Sequence, residues 1–467
     1  MKWLALILSL SLLVMTHEMG HLGFAKLFHT RVRRFYIFFN WGFSIFKAKK
    51  FGGKWHFLFF NSTEPDSWKE ENLSPEDQNN TLWGLGWLPL GGYCDIAGMI
   101  DETKTADDLP SDPQPWEYRS KPTWQRLCII SGGVLVNFVS ALLIYSCIFS
   151  HWGKDELPLR NATLGYEYNQ VLLDEGFVNG DIIYALDGKE MTDFSQVGMS
   201  LIVDNPKSAT VLRGDSLVEL PLSGTLLEKV NRKQVKRLMT PRMPFVVKDF
   251  IAGSTAERAG MLPGDSVVSL AGRHMASCNE IIPTLAEHPD EDIVVGFYRN
   301  GTLDSLTVHV NSSGKLGVQL VSDIAALFNV THTSYNFLEA LPAGISYGWQ
   351  TLVDYVSSLK VLFAPGGMQA LGGFGTMSSI FPNQWDWHSF WNITAFLALI
   401  LAFMNIIPIP GLDGGHLVFV LWEMITGRKP SDKFLNVAQN IGMLLLLALM
   451  VLANGNDIWR WFSGKFL

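Results

Sequence analysis

The chain has 467 residues, of which 48% are hydrophobic and only 17% charged, against roughly 25% charged in an average soluble domain, so an ordinary soluble enzyme is a poor description. A net charge of −8 supplies no basic field for a phosphate backbone, which argues against nucleic acid as a partner. Cys94, Cys128, Cys147 and Cys278 have no C-x-x-C spacing, which excludes a zinc ribbon and a dense disulfide framework; a metal must find other ligands.

Four stretches are apolar over the ~20 residues that a bilayer crossing requires. The first transmembrane helix is predicted over residues 1–28. A cleaved signal peptide fits less well there, because no small-x-small site follows the apolar run and His-Glu-Met-Gly-His does. Residues 29–126 follow as a cytoplasmic or membrane-associated region, and the second span covers 127–149. The third covers 389–414, the fourth 434–453, with a loop over 415–433 between them and a tail over 454–467. Arg31, Arg33, Arg34, Lys47, Lys49, Lys50, Arg119, Lys121, Arg126, Arg428, Lys429 and Lys433 all fall in connections on one face of a four-span topology, which marks that face as cytoplasmic.

The long segment between the second and third spans reads as soluble and duplicated. Gly180-Asp181-Ile182-Ile183, followed by Asp187-Gly188 and Met191, recurs as Gly264-Asp265-Ser266-Val267, then Ala271-Gly272 and Met275, always 84 positions later. Two tandem copies of one small α+β domain are predicted over 150–240 and 241–325. The run Ala256 to Val268 resembles the PDZ domains of envelope proteases, which bind extended peptide at a sheet edge. Residues 326–388 read as juxtamembrane helices and loop on the extracytoplasmic side.

The chemistry begins in the first span with Thr16-His17-Glu18-Met19-Gly20-His21. Residues four apart share a helix face, so His17 and His21 present two imidazoles to one metal, with Glu18 beside the open coordination position. A charge inside a membrane helix is costly and usually turned inward for a function. A catalytic zinc normally takes three protein ligands. The third is expected at the end of the third span, where Pro408 and Pro410 break the helix and Gly411, Gly414 and Gly415 surround Asp413. The first and third spans run the same way, and both motifs fall near the cytoplasmic ends of their helices.

His17 to His21 together with Asn405-x-x-Pro-x-Pro-x-Leu-Asp-Gly resembles the site-2 protease family of intramembrane zinc metalloproteases. Leu88-Pro89-Leu90-Gly91-Gly92-Tyr93, Gly132-Gly133-Val134-Leu135-Val136-Asn137-Phe138 and Asp413-Gly414-Gly415-His416-Leu417 extend the resemblance to its regulator-of-sigma-E protease branch. The resemblance implies a polytopic α-helical membrane protein of four transmembrane helices, with a membrane-associated β-hairpin region and two tandem PDZ-like domains outside the cytoplasm. It implies a bacterial inner-membrane location, with those domains periplasmic. Zn2+ is the implied cofactor, held by His17, His21 and Asp413, with Glu18 as proton carrier and Asn405 beside the substrate carbonyl. Asn137 and Gly86 are the implied substrate-positioning residues, Gly86 on an exposed strand edge of the hairpin region. Single-span membrane proteins are the implied substrates, peptides are ligands of the PDZ-like domains, and the lipid bilayer is the surrounding partner. The domains are expected to filter substrates by size, so that removing 162–310 admits untrimmed ones. Asn61 to Asn80 departs from the family pattern as an insertion, and the first repeat is the less typical of the two. The competing readings are another membrane zinc endopeptidase, with a downstream glutamate as third ligand, and a membrane-anchored PDZ scaffold.

Overall fold

The computed structural model describes residues 1–89, 91–99, 112–233, 235 and 237–463. Leu90 of the Leu-Pro-Leu-Gly-Gly motif and the last residues of the tail lie outside them. Contacts divide the chain into two units, Met1–Gly153 with Ser334–Tyr355 and Leu371–Leu467, and Lys154–Thr333 with Val356–Ala370.

Among the described residues of the first unit, four helices are long and apolar enough to cross a membrane. They are α1 (Lys2–Leu27), α2 (Thr123–Trp152), α4 (Trp387–Ile406) and α6 (Asp432–Phe462), with α3 (Phe337–Ser358) preceding α4. Alanines allow α4 to pack closely: Ala395, Ala398 and Ala402 are buried, the first two in one cluster with Leu6, Leu13 and Tyr145. The approach of α1 to α2 is closer still. A Cβ on Gly20 would lie 2.3 Å from the Gly132 carbonyl oxygen, so glycine on both helices is what lets the backbones touch.

Three boundaries differ from the sequence reading. α4 ends at Ile406, because Pro408 and Pro410 supply no backbone N–H to continue it. The stretch read as a loop over 415–433 is occupied by another helix, α5 (Asp413–Thr426), with Val420 buried and Ile425 exposed. α6 continues through Phe462 into what reads as a tail. α3 packs against α2 through Gly344, where a Cβ would lie 2.4 Å from the Ser146 nitrogen.

The region expected as a β-hairpin is a five-stranded sheet of β1 (Val32–Tyr36), β2 (Phe39–Phe51), β3 (Lys54–Asn61), β4 (Leu82–Leu88) and β5 (Tyr93–Ile96). Their order is β3-β2-β4-β1-β5, with only the β1/β4 pair parallel. A hairpin alone is marginal in water; β1, β4 and β5 extend it into a sheet, one face of which packs Tyr36 and Leu82 against Trp68.

The second unit repeats one geometry. The Asp181 carboxylate accepts from the Val178 N–H and from Arg213, which also donates to the Gly176 carbonyl. The Asp265 carboxylate accepts from the Leu262 N–H and from Arg299, which donates to the Gly260 carbonyl. Both aspartates are buried at 1% exposure, so each locks a Gly-x-x-x-Gly-Asp turn from inside. Burial alone would raise the Asp265 pKa, but the Arg299 guanidinium and the Leu262 N–H hold it below the usual carboxylate value. Each repeat also closes its last strand antiparallel onto its first, Met239–Pro241 onto Tyr166–Tyr168 and Val318–Leu320 onto Phe245–Phe250. In the second repeat this pair joins the main sheet; in the first it stands apart.

Candidate metal centre

His17 and His21 lie one turn apart on α1, both buried. Their Nε2 atoms are 3.2 Å apart. Asp413, the first residue of α5, brings Oδ2 to 3.1 Å from His17 Nε2 and 3.3 Å from His21 Nε2. The proline break makes this possible: residues 407–412 turn the chain, and a Cβ on Gly414 would lie 2.1 Å from the Ile407 carbonyl oxygen, so the turn closes only on glycine. From the α2 side, a Cβ on Gly133 would lie 2.5 Å from His21 Nε2 and 2.6 Å from His17 Cε1. α2 therefore presses bare backbone against both imidazoles.

Proton placement decides what these atoms can hold. His21 Nδ1 lies 2.9 Å from the Ile129 carbonyl oxygen, which can only accept, so Nδ1 carries the hydrogen and Nε2 a lone pair. His17 Nδ1 lies 3.4 Å from the amide of Asn137. Thr16 Oγ1 is 2.9 Å from the Leu13 carbonyl and 2.9 Å from Asn137 Oδ1. Amide oxygen and nitrogen are assigned from such networks. With the Asn137 oxygen facing His17 Nδ1–H and its NH2 facing Thr16 Oγ1, whose own hydrogen goes to Leu13, each of these three contacts pairs a donor with an acceptor. His17 Nε2 then also carries a lone pair. Asp413 Oδ2 is buried with no hydrogen-bond donor directed to it among the described residues. Two imidazole lone pairs and a carboxylate oxygen, all within 4.8 Å of one another, repel unless a cation lies among them, and an N, N, O donor set suits zinc.

The three groups open onto a cavity of about 310 Å³ that Glu18 and Asn405 also line. The Cys94 backbone N–H of β5 donates to the Glu18 carboxylate, tying the sheet's edge strand to the site. Asn405 Nδ2 lies 3.5 Å from His17 Nε2. Thus His17, Glu18, His21, Asn405 and Asp413 line one cavity.

Asn137 and Gly86 are placed elsewhere. Asn137 is fully buried on α2 and meets His17 and Thr16. Gly86 is on β4, an interior strand, where a Cβ would lie 2.2 Å from the Phe39 carbonyl oxygen; a crossing backbone, not an open edge, is its environment. The edge strand at the cavity is β5, represented there by Tyr93, Cys94 and Ile96. Gln439 of α6 also lines the cavity, at 8% exposure. Asn436 and Asn440 flank it, so the sequence did not single it out; a Cβ on Gly442 would collide with Pro410, so α6 lies directly against the break.

Residues 5–62 and 71–449 match Peptidase family M50. The chain is similar to the "Regulator of sigma-E protease RseP" of Salmonella typhimurium, 26% identical over 481 residues, covering 98% of each chain. It is similar to a protein named "Putative zinc metalloprotease" from Vibrio cholerae, 26% identical over 484 residues, again covering 98% of each.

Proposed function

Because the chain belongs to peptidase family M50 and is an intramembrane zinc metalloprotease, we propose that His17, His21 and Asp413 are the zinc ligands and Glu18 the proton carrier of peptide-bond hydrolysis. The observation that carries this assignment is the convergence of His17 Nε2 and His21 Nε2 on one buried Asp413 oxygen. Zinc held there supplies a water of near-neutral acidity and a Lewis acid for the scissile carbonyl.

The remaining work belongs to side chains. Glu18, aimed by the Cys94 N–H, accepts the proton of the attacking water and returns it to the leaving amine. Asn405 directs its carboxamide at the substrate carbonyl from the same cavity wall. Asn137, with Thr16, fixes the His17 ring and tautomer, so it acts through the histidine and not on substrate.

A transmembrane helix satisfies its own backbone hydrogen bonds and must be unwound before its carbonyls are reachable. Among the described residues β5 is paired by β1 on one side only, and its Tyr93, Cys94 and Ile96 line the cavity. An unwound substrate pairing with β5 would keep its N–H and C=O groups satisfied beside the zinc. The substrates are single-span membrane proteins, cleaved within or near the span, in the bacterial inner membrane. The two repeats are PDZ-like domains on the periplasmic side that take peptide ligands and screen substrates by size.

The test is Glu18→Gln, assayed on a single-span membrane substrate with zinc measured on the same preparation. Cleavage falls by about 10²- to 10⁴-fold, with zinc content kept. Cleavage at the wild-type rate contradicts the assignment.

A further inference from the structure

The residues that depart from the family pattern build a second site. Residues 63–70 fall in the gap of the match to Peptidase family M50, within the polar insertion Asn61 to Asn80. The insertion folds back over one face of the sheet. Trp68, 4% exposed, packs with Tyr36 and Leu82 and meets Phe51 edge to face at 5.9 Å. Glu64 forms a loose ion pair with Arg34 at 3.6 Å.

Under this cover lies an excess of positive charge. Side chains alternate along a strand, so Lys47 and Lys49 share one face of β2. Register puts Lys47 opposite Gly84, which pairs with Tyr36, and puts Arg34 beside Leu82 and Asp95, so Arg34 belongs to the same face. Between sheet and insertion is a cavity of about 320 Å³, lined among the described residues by Arg33, Arg34, Lys49 and Lys69 against Glu64 and Asp95; Lys69 also pairs with Asp66 at 2.7 Å and Lys49 donates to the Trp68 carbonyl. Lys47 beside it is 3% exposed, and its ammonium makes no hydrogen bond or ion pair among the described residues. Burial lowers its pKa, and the attraction of Glu64 offsets this only in part. Buried charge is ordinarily paired or bound to a ligand. The sheet's opposite face is aromatic and exposed, through Trp55, Phe57, Phe59 and Trp83, as befits a sheet lying at a membrane interface.

We propose that this cavity is a binding site for a phosphate-bearing anion, held by Lys49 and Arg34 with Lys69 at the rim, the buried charge of Lys47 adding to the attraction. Several cations around a buried space suit the oxygens of a phosphate, which accept charge-assisted hydrogen bonds from each of them. The phosphate comes either from the headgroup of an anionic phospholipid, brought close by the aromatic face, or from a soluble phosphate compound. The site is separate from the zinc centre and independent of the protease assignment.

The experiment uses the full-length zinc-loaded protein and two probes: phosphatidylglycerol in nanodiscs otherwise of phosphatidylcholine, with lipid retention read by native mass spectrometry, and inorganic pyrophosphate at matched ionic strength, read by thermal shift. Binding of phosphatidylglycerol alone identifies a lipid headgroup, and binding of pyrophosphate alone a soluble ligand. Lys47→Gln with Lys49→Gln weakens that binding about ten-fold or more, Lys69→Gln about three-fold, and Lys54→Gln at the exposed hairpin turn not at all. The rim variant leaves the core of the sheet untouched, so it reports even if the double variant misfolds. Binding of neither probe by the wild type, or equal binding by wild type and Lys69→Gln, overturns the proposal.

Discussion

Around His17 and Asp413, segments remote in sequence meet: the Asn137 contact to His17 spans 120 positions and the Asn405 contact 388. In the repeats, each turn is locked by an arginine 32 or 34 positions downstream of its aspartate, and the same lock is used twice. The first arrangement depends on backbones touching and fails as a whole when one approach is blocked. The second is modular, and its ends meet, because Lys154–Glu156 pairs antiparallel with Thr331–Thr333.

The largest effect separating the two regions is expected at Gly133. In Gly133→Val the new side chain occupies the position 2.5 Å from His21 Nε2, so both imidazoles are displaced. Zinc is lost and cleavage falls by more than about 10³-fold, while the repeats still unfold at the wild-type temperature. Zinc analysis with calorimetry checks this; a variant that keeps its zinc refutes the close-packing account.

A smaller effect follows at Asn137. Asn137→Leu removes the acceptor for His17 Nδ1–H without opening a cavity, and zinc affinity falls about 10- to 100-fold. Competition with a chelator measures it. Activity restored to wild-type level by saturating zinc is the outcome expected of a group that acts through His17; lost activity at full zinc occupancy would instead make Asn137 a substrate contact.

The smallest effect on the metal centre is expected from the modular region. Deletion of 157–330, joining the paired strands Lys154–Glu156 and Thr331–Thr333 by a short turn, leaves zinc content and the cleavage of pre-trimmed substrate unchanged. Untrimmed substrate becomes cleavable. Continued discrimination between the two removes the size-filter role.

Legibility in the sequence followed the range of the interactions involved. The spans were readable because apolarity is a property of consecutive residues, and the duplication because local turn chemistry repeats at a fixed offset. His17, Glu18, His21 and Asp413 were readable because helix periodicity pairs the histidines and prolines with glycines mark a helix break where a carboxylate enters. The five-stranded sheet was not: β1 and β5 are short, and β4 pairs in parallel with β1 across the insertion, a contact with no local signal. Nor was α5, whose start at Asp413 depends on the break packing against α6. Gly86 and Asn137 stood out as motif residues, but only the fold shows that one accommodates a crossing backbone and the other supports a histidine.

The most direct test of the account is zinc X-ray absorption on the full-length wild-type protein. Cys94 and His416 line the same cavity as the proposed ligands, so alternative ligand sets are within reach. The account predicts two imidazole nitrogens at about 2.0–2.1 Å with the remaining ligands oxygen. A sulfur shell at about 2.3 Å, or a third imidazole, would contradict it.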